Sequence, residues 1–278
     1  MLRPQGTIAQ QPRREAYKLS PGGATIAEVV RRAWSRLIRK QWLIVYPLAV
    51  SIIDALAFLM VYAANGDRLH WTDFFAANFD RWQYLRDHFF SGFSFTSTLG
   101  IAVAAGIVAC LGAALIRAPY FRAIAGPNYP IAPRRWEEAL NLFVFYVLYN
   151  LFALVVLIPS STGSLGVGAL WAVVQVILIL VAFTDYVIVF EELSILRGLR
   201  RSLQLVRHRW PPVVIIFIVV YVVDFGFNSL YSHYYNGQGE VFVLLPVSQF
   251  LVQSLITLIF DLLLIFLYED IRRSSPAG

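Results

Sequence analysis

The sequence predicts an all-α fold: a polytopic membrane protein with six transmembrane helices and amphipathic helices along the membrane surface. Three observations predict it. Of the 278 residues, 58% are apolar and only 14% are charged, against about 25% charged in an average soluble domain. Mean hydropathy is +0.63 over the whole length. The apolar residues also lie in long blocks. No Lys, Arg, Asp or Glu occurs in the 46 residues from Ala139 to Thr184, nor between His88 and Ile116. A bilayer crossing needs about 20 mainly apolar residues.

Taken in order, residues 1–24 are rich in Gln, Pro and Arg without an apolar core. They read as a solvated, disordered cytoplasmic tail with no cleavable signal peptide. A membrane domain follows over 25–273. Its first span covers about 42–64, with Pro47 in the first turn, where a missing N–H is tolerated. The second covers about 96–116 and the third about 140–158, ended by the turn Pro159-Ser160-Ser161-Thr162-Gly163. The fourth covers about 168–190, the fifth about 211–230 after Pro211-Pro212, and the sixth about 244–268. Residues 274–278 close the chain as a second cytoplasmic tail. Six spans leave no room for a separate soluble catalytic domain.

Orientation follows from the basic residues. Of the 23 Lys and Arg, twenty fall in the N-terminal segment, the loops after spans two and four, and the C-terminal tail. Only Arg68, Arg81 and Arg86 fall on the other side. Short basic loops stay inside, so the expectation is a cell membrane protein with both termini cytoplasmic. The net charge of +6 and pI near 9.5 then reflect anionic lipid head groups as partners rather than nucleic acid.

A weak repeat runs through the chain. Leu37, Ile38, Arg39 and Trp42 match Leu205, Val206, Arg207 and Trp210 at a shift of 168 positions, and Pro133–Leu140 is a shorter middle copy. Three units, each an interfacial helix followed by a two-span hairpin, would give this pattern; so would shared membrane-edge composition.

The stretch before span five has the clearest helical period. Leu193, Leu196, Leu199, Leu203, Val206 and Trp210 form one face. Arg197, Arg201, Gln204 and His208 form the other, with Arg200 and Arg207 beside them. Such a helix lies in the membrane plane with its arginines toward phosphates. It is either a docking surface for lipid head groups or a membrane-protein partner, or an elbow holding spans four and five at depth.

Four carboxylates fall within spans: Asp54, Asp185, Asp224 and Asp261. Each costs about 2.5–3.5 kcal/mol at mid-bilayer on insertion scales, so each is expected to face protein or water. Asp185 and Asp261 lie at the depth where Arg117 ends span two, which predicts an ion pair between Arg117 and one of them. The four acids form either a cation or proton path or helix-to-helix hydrogen bonds. In span two, Ala102, Gly106, Cys110 and Ala114 recur every fourth residue, a packing face for a bundle or a homo-oligomer. Cys110 is the one cysteine, which excludes an intrachain disulfide. It is expected to be an inert thiol in that face.

Between 66 and 92, Trp71, Phe74, Phe75, Phe79, Trp82 and Phe89 follow helical spacing and read as an anchor at the outer interface. His70, His88, His208 and His233 share no metal-ligand spacing. No HExxH, GxSxG or phosphate-loop motif occurs, and no cofactor is implied. Ser202 with His208 is the one nearby nucleophile–base pair, six residues apart and on different helix faces.

The run Val189-Phe-Glu-Glu-Leu-Ser-Ile-Leu-Arg-Gly-Leu-Arg-Arg-Ser-Leu-Gln-Leu-Val-Arg-His-Arg-Trp210 resembles a motif in a group of prokaryotic membrane proteins. There a span ends in a glutamate, and an Ala-Leu-x-x-Ser-Trp-like stretch leads into the next span. Leu267-Tyr-Glu-Asp-Ile-Arg272 is similar to that group's closing Leu-Tyr-x-Asp-Leu-Arg. The group includes the membrane domain fused to some glycerophosphodiester phosphodiesterases and many six-span proteins of unknown function. This chain has Leu203 where the group often has tryptophan, and no phosphodiesterase barrel, so no catalytic residue carries over. The resulting expectation is a non-enzymatic protein that organises lipids or partners through its Arg-rich helices. The alternative is a small transporter or channel using the intramembrane aspartates.

Overall fold

The computed structural model describes residues 25–64, 95–126, 136–157, 166–237 and 244–274. The tails 1–24 and 275–278 and the aromatic stretch 66–92 lie outside the described residues. Every described element is helical. In chain order these are α1 (Ile26–Arg39), a 3-10 turn (Gln41–Ile44), α2 (Val45–Ala64), α3 (Phe95–Ala125) and α4 (Trp136–Leu157). They continue with α5 (Gly166–Leu180), α6 (Thr184–Glu191), α7 (Ile195–His208), α8 (Trp210–Gly237) and α9 (Leu244–Ser274).

Among the described residues, five helical stretches are long and apolar enough to cross a membrane: Gln41–Val61, Gly100–Ala125, Val173–Glu191, Trp210–Tyr234 and Val247–Ser274. The core is apolar, but the outer surface also departs from that of a soluble protein. Val108, Val222 and Phe225 are each more than 60% exposed, whereas Arg122 and Asp261 are 2% and 3% exposed. Apolar side chains facing outward and charged ones facing inward suit hydrocarbon as solvent. The chain is a multi-pass membrane protein.

Several element boundaries depart from the sequence reading. Helix α3 does not stop at Ile116 but runs on through Arg117, Pro119 and Arg122 to Ala125. The two arginines do not end it because both find carboxylates inside the bundle: Arg117 meets Asp185 at 3.6 Å, and Arg122 pairs with Glu138. Helix α4 begins at Trp136, so the middle copy of the repeat is not a separate helix from Trp136 onward. Helix α9 likewise continues past Tyr268 to Ser274.

The expected fourth span is two helices, broken at Val181–Phe183. No glycine or proline marks the break; a side chain on α7 holds it. Ser202 Oγ accepts from the Phe183 N–H at 3.1 Å and donates to the Leu180 carbonyl at 2.9 Å. Both backbone groups freed by the break are thereby satisfied, as burial requires. Ser202 is fully buried and committed to this role, which removes it from any pairing with the exposed His208. Ser202→Val is expected to leave both groups unpaired and to cost about 1–3 kcal/mol. Thermal unfolding of the purified protein in detergent measures this, with Ser202→Thr retaining most of the stability.

The inward face of α7 is also rotated from the expected one. Gly198, Ser202, Leu205 and Val206 are buried, whereas Leu196 and Trp210 are among the most exposed apolar residues. A Cβ on Gly198 would lie 3.3 Å from the Ile188 side chain, so α7 and α6 pack with little space between them. The inward face of α7 thus combines Gly198 and Ser202 with Leu205 and Val206, and leaves Leu196 outside. Helices α1 and α7 end alike: Lys40 has φ −133°, ψ 53° and Arg209 has φ −143°, ψ 57°. Each kink is followed by a helix that enters the bundle.

On α3, Ala102, Cys110 and Ala114 are buried, and so is Gly106, although an added Cβ at Gly106 would meet nothing within 4 Å. Gly112 approaches α2 closely: an added Cβ there would lie 2.9 Å from the Ile53 side chain. At the arginine-rich helix ends, Tyr120, Phe121, Phe183, Tyr186 and Tyr268 form a fully buried aromatic layer. Phe121 meets Tyr186 edge-on at 4.7 Å, and Tyr268 stacks on Phe190 at 5.7 Å. Below it lies a layer of ion pairs. Glu191 takes Arg201 at 3.3 Å and Arg272 at 3.8 Å, Arg209 takes Asp270 at 2.8 Å, and the Tyr268 hydroxyl donates to Glu191. Lys40 Nζ donates to the Ala123 carbonyl; burial and the neighbouring Arg36 hold this ammonium below the ordinary lysine value.

Candidate functional site: a polar cavity between the helices

Beyond the aromatic layer the helices line an open cavity of about 750 Å³. Its lining sets polar and charged side chains among apolar ones such as Phe145, Phe217 and Leu264. Asp54 and Ser51 come from α2, Arg117 and Cys110 from α3, Tyr146, Tyr149 and Asn150 from α4, and Asp185 and Tyr186 from α6. Helix α8 adds Asn228, and α9 contributes Gln249, Gln253, Thr257 and Asp261. Gln249 and Asp261 are twelve residues apart on one helix, so the polar lining extends about 18 Å along the bundle at 1.5 Å per residue.

The charged floor of the cavity is built around Arg117. Its Nη1 lies 3.6 Å from Asp185 Oδ2, and its guanidinium sits over the Tyr146 ring at 5.5 Å and the Phe121 ring at 6.0 Å. Asp185 also accepts from the Tyr186 backbone N–H at 3.0 Å and from the Tyr146 hydroxyl at 3.5 Å. The Tyr186 hydroxyl donates to Asp261 Oδ1 at 2.9 Å. Oδ2 of Asp261 is buried with no hydrogen-bond partner, and the Tyr120 hydroxyl facing the same carboxylate stands outside hydrogen-bonding geometry. Two carboxylates therefore face one guanidinium, on a floor walled by tyrosines.

Three of the four intramembrane aspartates, Asp54, Asp185 and Asp261, thus meet Arg117 at one cavity. Asp224 does not. It accepts from Asn228 on its own helix at 3.0 Å and from Gln253 on α9 at 2.8 Å, so it is helix-to-helix glue. Cys110 is both a packing residue and a wall of the cavity, where its sulfur accepts from Asn150 Nδ2 at 3.3 Å. Arg197, Arg200, Arg207 and His208 are exposed on α7, away from the cavity, and Arg201 is held by Glu191. No cluster of three or more His, Cys, Asp or Glu residues suited to a metal ion occurs among the described residues.

No family model matches the chain, and neither the curated proteins nor the solved structures contain a match. Function is therefore read from this chain's own geometry.

The tyrosines and amides of the cavity were the part that sequence reasoning missed. Tyr146 and Asn150 stand one helical turn apart, as do Gln249 and Gln253 with Thr257 a turn further on. That i, i+4 polar spacing inside apolar runs was the available signal.

Proposed function

We propose that this protein admits a small hydrophilic solute into a cavity between its spans and carries it across the cell membrane. The observation that supports this most is the charged, amide-lined cavity itself. A bundle whose intramembrane acids were only glue would bond them helix to helix, as Asp224 is bonded, and would have no need of a shared polar space. Keeping Asp54, Asp185 and Asp261 on one cavity with a single arginine costs desolvation that a binding or transport role offsets. In this reading six spans cross the bilayer, α4 being the sixth, and the arginine-rich ends with both termini are cytoplasmic. The aromatic layer then closes the cavity toward the cytoplasm. The chain is not an enzyme in this reading, and it is kin to the six-span prokaryotic proteins that its two motifs resemble.

A second reading gives the basic helices a role of their own, organising anionic lipids or a membrane-protein partner. Val30, Trp34, Ile38 and Trp42 recur every fourth residue and are all about half exposed or more, beside the exposed Arg31 and Arg39. Leu196 and Trp210 are likewise exposed near Arg197, Arg200 and Arg207. An apolar stripe next to arginines suits the inner head-group boundary. This surface would seat the protein in the membrane whatever the cavity carries.

Counterflow uptake into proteoliposomes tests the leading reading with a panel of small labelled solutes grouped by charge. Uptake of at least one class, lost when Asp185 and Asp261 are both replaced by Asn, is the expected result. Uptake that survives Asn at Asp54, Asp185 and Asp261 together would end the proposal that these acids form the path.

A further inference from the structure

We propose that α6 and α7 form one moving body, hinged at Val181–Phe183, that opens and closes the cavity at its arginine-rich end. The inference rests on the reading of the cavity as a solute path and names the element that gates it. Helices α3 and α9 run unbroken through the aromatic layer, over Phe95–Ala125 and Leu244–Ser274. Helix α6 is only eight residues long and has non-helical backbone on both sides, at Val181–Phe183 and at Glu192–Ser194. Glu192 has φ 54° and ψ 36°, a left-handed conformation that costs a residue with a Cβ and that gathers at switch segments. A few residues at the ends of an element are where a hinge absorbs its change of angle, and α6 has such residues at both ends.

The aromatic layer depends on α6. Tyr186 meets Phe121 of α3 at 4.7 Å, and Phe183 and Phe190 meet Tyr268 of α9 at 6.0 and 5.7 Å. Helix α6 thus supplies rings that join α3 to α9, and it also carries Asp185, which faces Arg117 on the cavity floor. Rotation about the first break withdraws three rings and one floor acid together. Helix α7 turns with it, because Gly198 packs closely against Ile188 and Thr184 and Arg201 pairs with Glu191 at 3.3 Å. Ser202 is the pivot. It bonds the Leu180 carbonyl on one side of the break and the Phe183 N–H on the other, at a depth where backbone groups must find partners within the protein. Besides the rings, the body is tied to α9 by polar contacts near the rim: Arg209 with Asp270 at 2.8 Å, and Glu191 with Arg272 at 3.8 Å and the Tyr268 hydroxyl at 2.9 Å. Both arginines are partly exposed, and together these contacts form a latch.

Thiol labelling from the arginine-rich side tests this, on full-length Ser51→Cys with Cys110→Ala in oriented vesicles and with a charged, membrane-impermeant reagent. Asp270→Asn weakens the latch and is expected to speed that labelling about tenfold, the effect of losing one charge-assisted hydrogen bond. Arg272→Gln, nearer the exposed rim, should act in the same direction. The control is the double variant Arg122→Met with Glu138→Leu. It removes an ion pair between α3 and α4, outside the moving body, and should leave the rate unchanged. Gel filtration identifies variants that fail to fold, and either latch variant decides if the other does not fold. An unchanged rate in the folded latch variants, or equal acceleration by the control, would overturn the gate. If Ser51→Cys then still reacts from the opposite side, the solute cavity stands and only the hinge falls. If it reacts from neither side in any variant, both fall.

Discussion

Arg117→Met is expected to abolish solute uptake and to destabilise the fold by up to about 3–5 kcal/mol, the usual cost of breaking a buried pair from one side. Among the described residues, the guanidinium is the sole basic group on a cavity floor that carries Asp185 and Asp261. It lies 3.6 Å from one of them and is packed between two aromatic rings. Methionine fills much of the same volume, so the loss is electrostatic rather than a void. The variant leaves two carboxylates in a low-dielectric interior with tyrosine hydroxyls as their main support. Adding Asp185→Asn to Arg117→Met should recover a large part of the stability, because it removes the charge that lost its partner. It should not recover uptake. Melting temperature in detergent together with proteoliposome uptake separates the two effects; recovery of both by the double variant would contradict the assignment of Arg117 to the site.

The second large effect is expected at the pair Arg122–Glu138, which ties the end of α3 to the start of α4. Both side chains are almost wholly buried, and Glu138 Oε1 has no hydrogen-bond partner. Arg122→Met alone should cost about 3–5 kcal/mol by leaving that carboxylate buried without its counter-charge. The double variant Arg122→Met with Glu138→Leu should sit close to the parent, since an apolar pair avoids the desolvation cost that the ion pair only just offsets. A double-mutant cycle on thermal stability reads this directly. A double variant as unstable as the single would mean that the pair fixes the α3–α4 geometry in a way packing cannot replace. Neither change touches the cavity lining, so Arg122 variants that fold should retain solute binding.

Much of the fold is legible in the sequence, because hydrocarbon imposes a simple rule: long apolar runs become helices. The Arg117–Asp185 pair was also legible. Counting residues from the helix ends gives depth, and opposite charges at equal depth in a bundle find each other. Three features were not legible, each for a physical reason. The break at Val181–Phe183 is held by Ser202, nineteen residues from Phe183, and local propensity carries no sign of a distant hydroxyl. The inward face of α7 carries Gly198 and Ser202 beside Leu205 because close packing against Ile188 and Thr184 favours small groups there, while Leu196 turns outward. In a membrane protein an apolar face does not identify the protein side, since lipid accepts it equally. Asp54, Asp185, Asp224 and Asp261 read alike as acids within spans. Only the tertiary placement shows that Asp224 is bonded across α8 and α9 while the other three share a cavity.

The central claim is that water reaches from one side of the membrane to the acids between the helices. The most direct measurement is thiol accessibility in sealed, oriented vesicles, using Ser51→Cys and, separately, Leu56→Cys, each with Cys110→Ala. Ser51 lines the cavity one helical turn before Asp54, whereas Leu56 on the same helix is exposed on the outer, apolar surface. A small, charged, membrane-impermeant thiol reagent added outside should modify the Ser51→Cys variant and leave the Leu56→Cys variant untouched, because the thiolate that reacts forms in water and not in lipid. An unreactive Ser51→Cys thiol, or equal reaction in both variants, would contradict a hydrated path through this bundle.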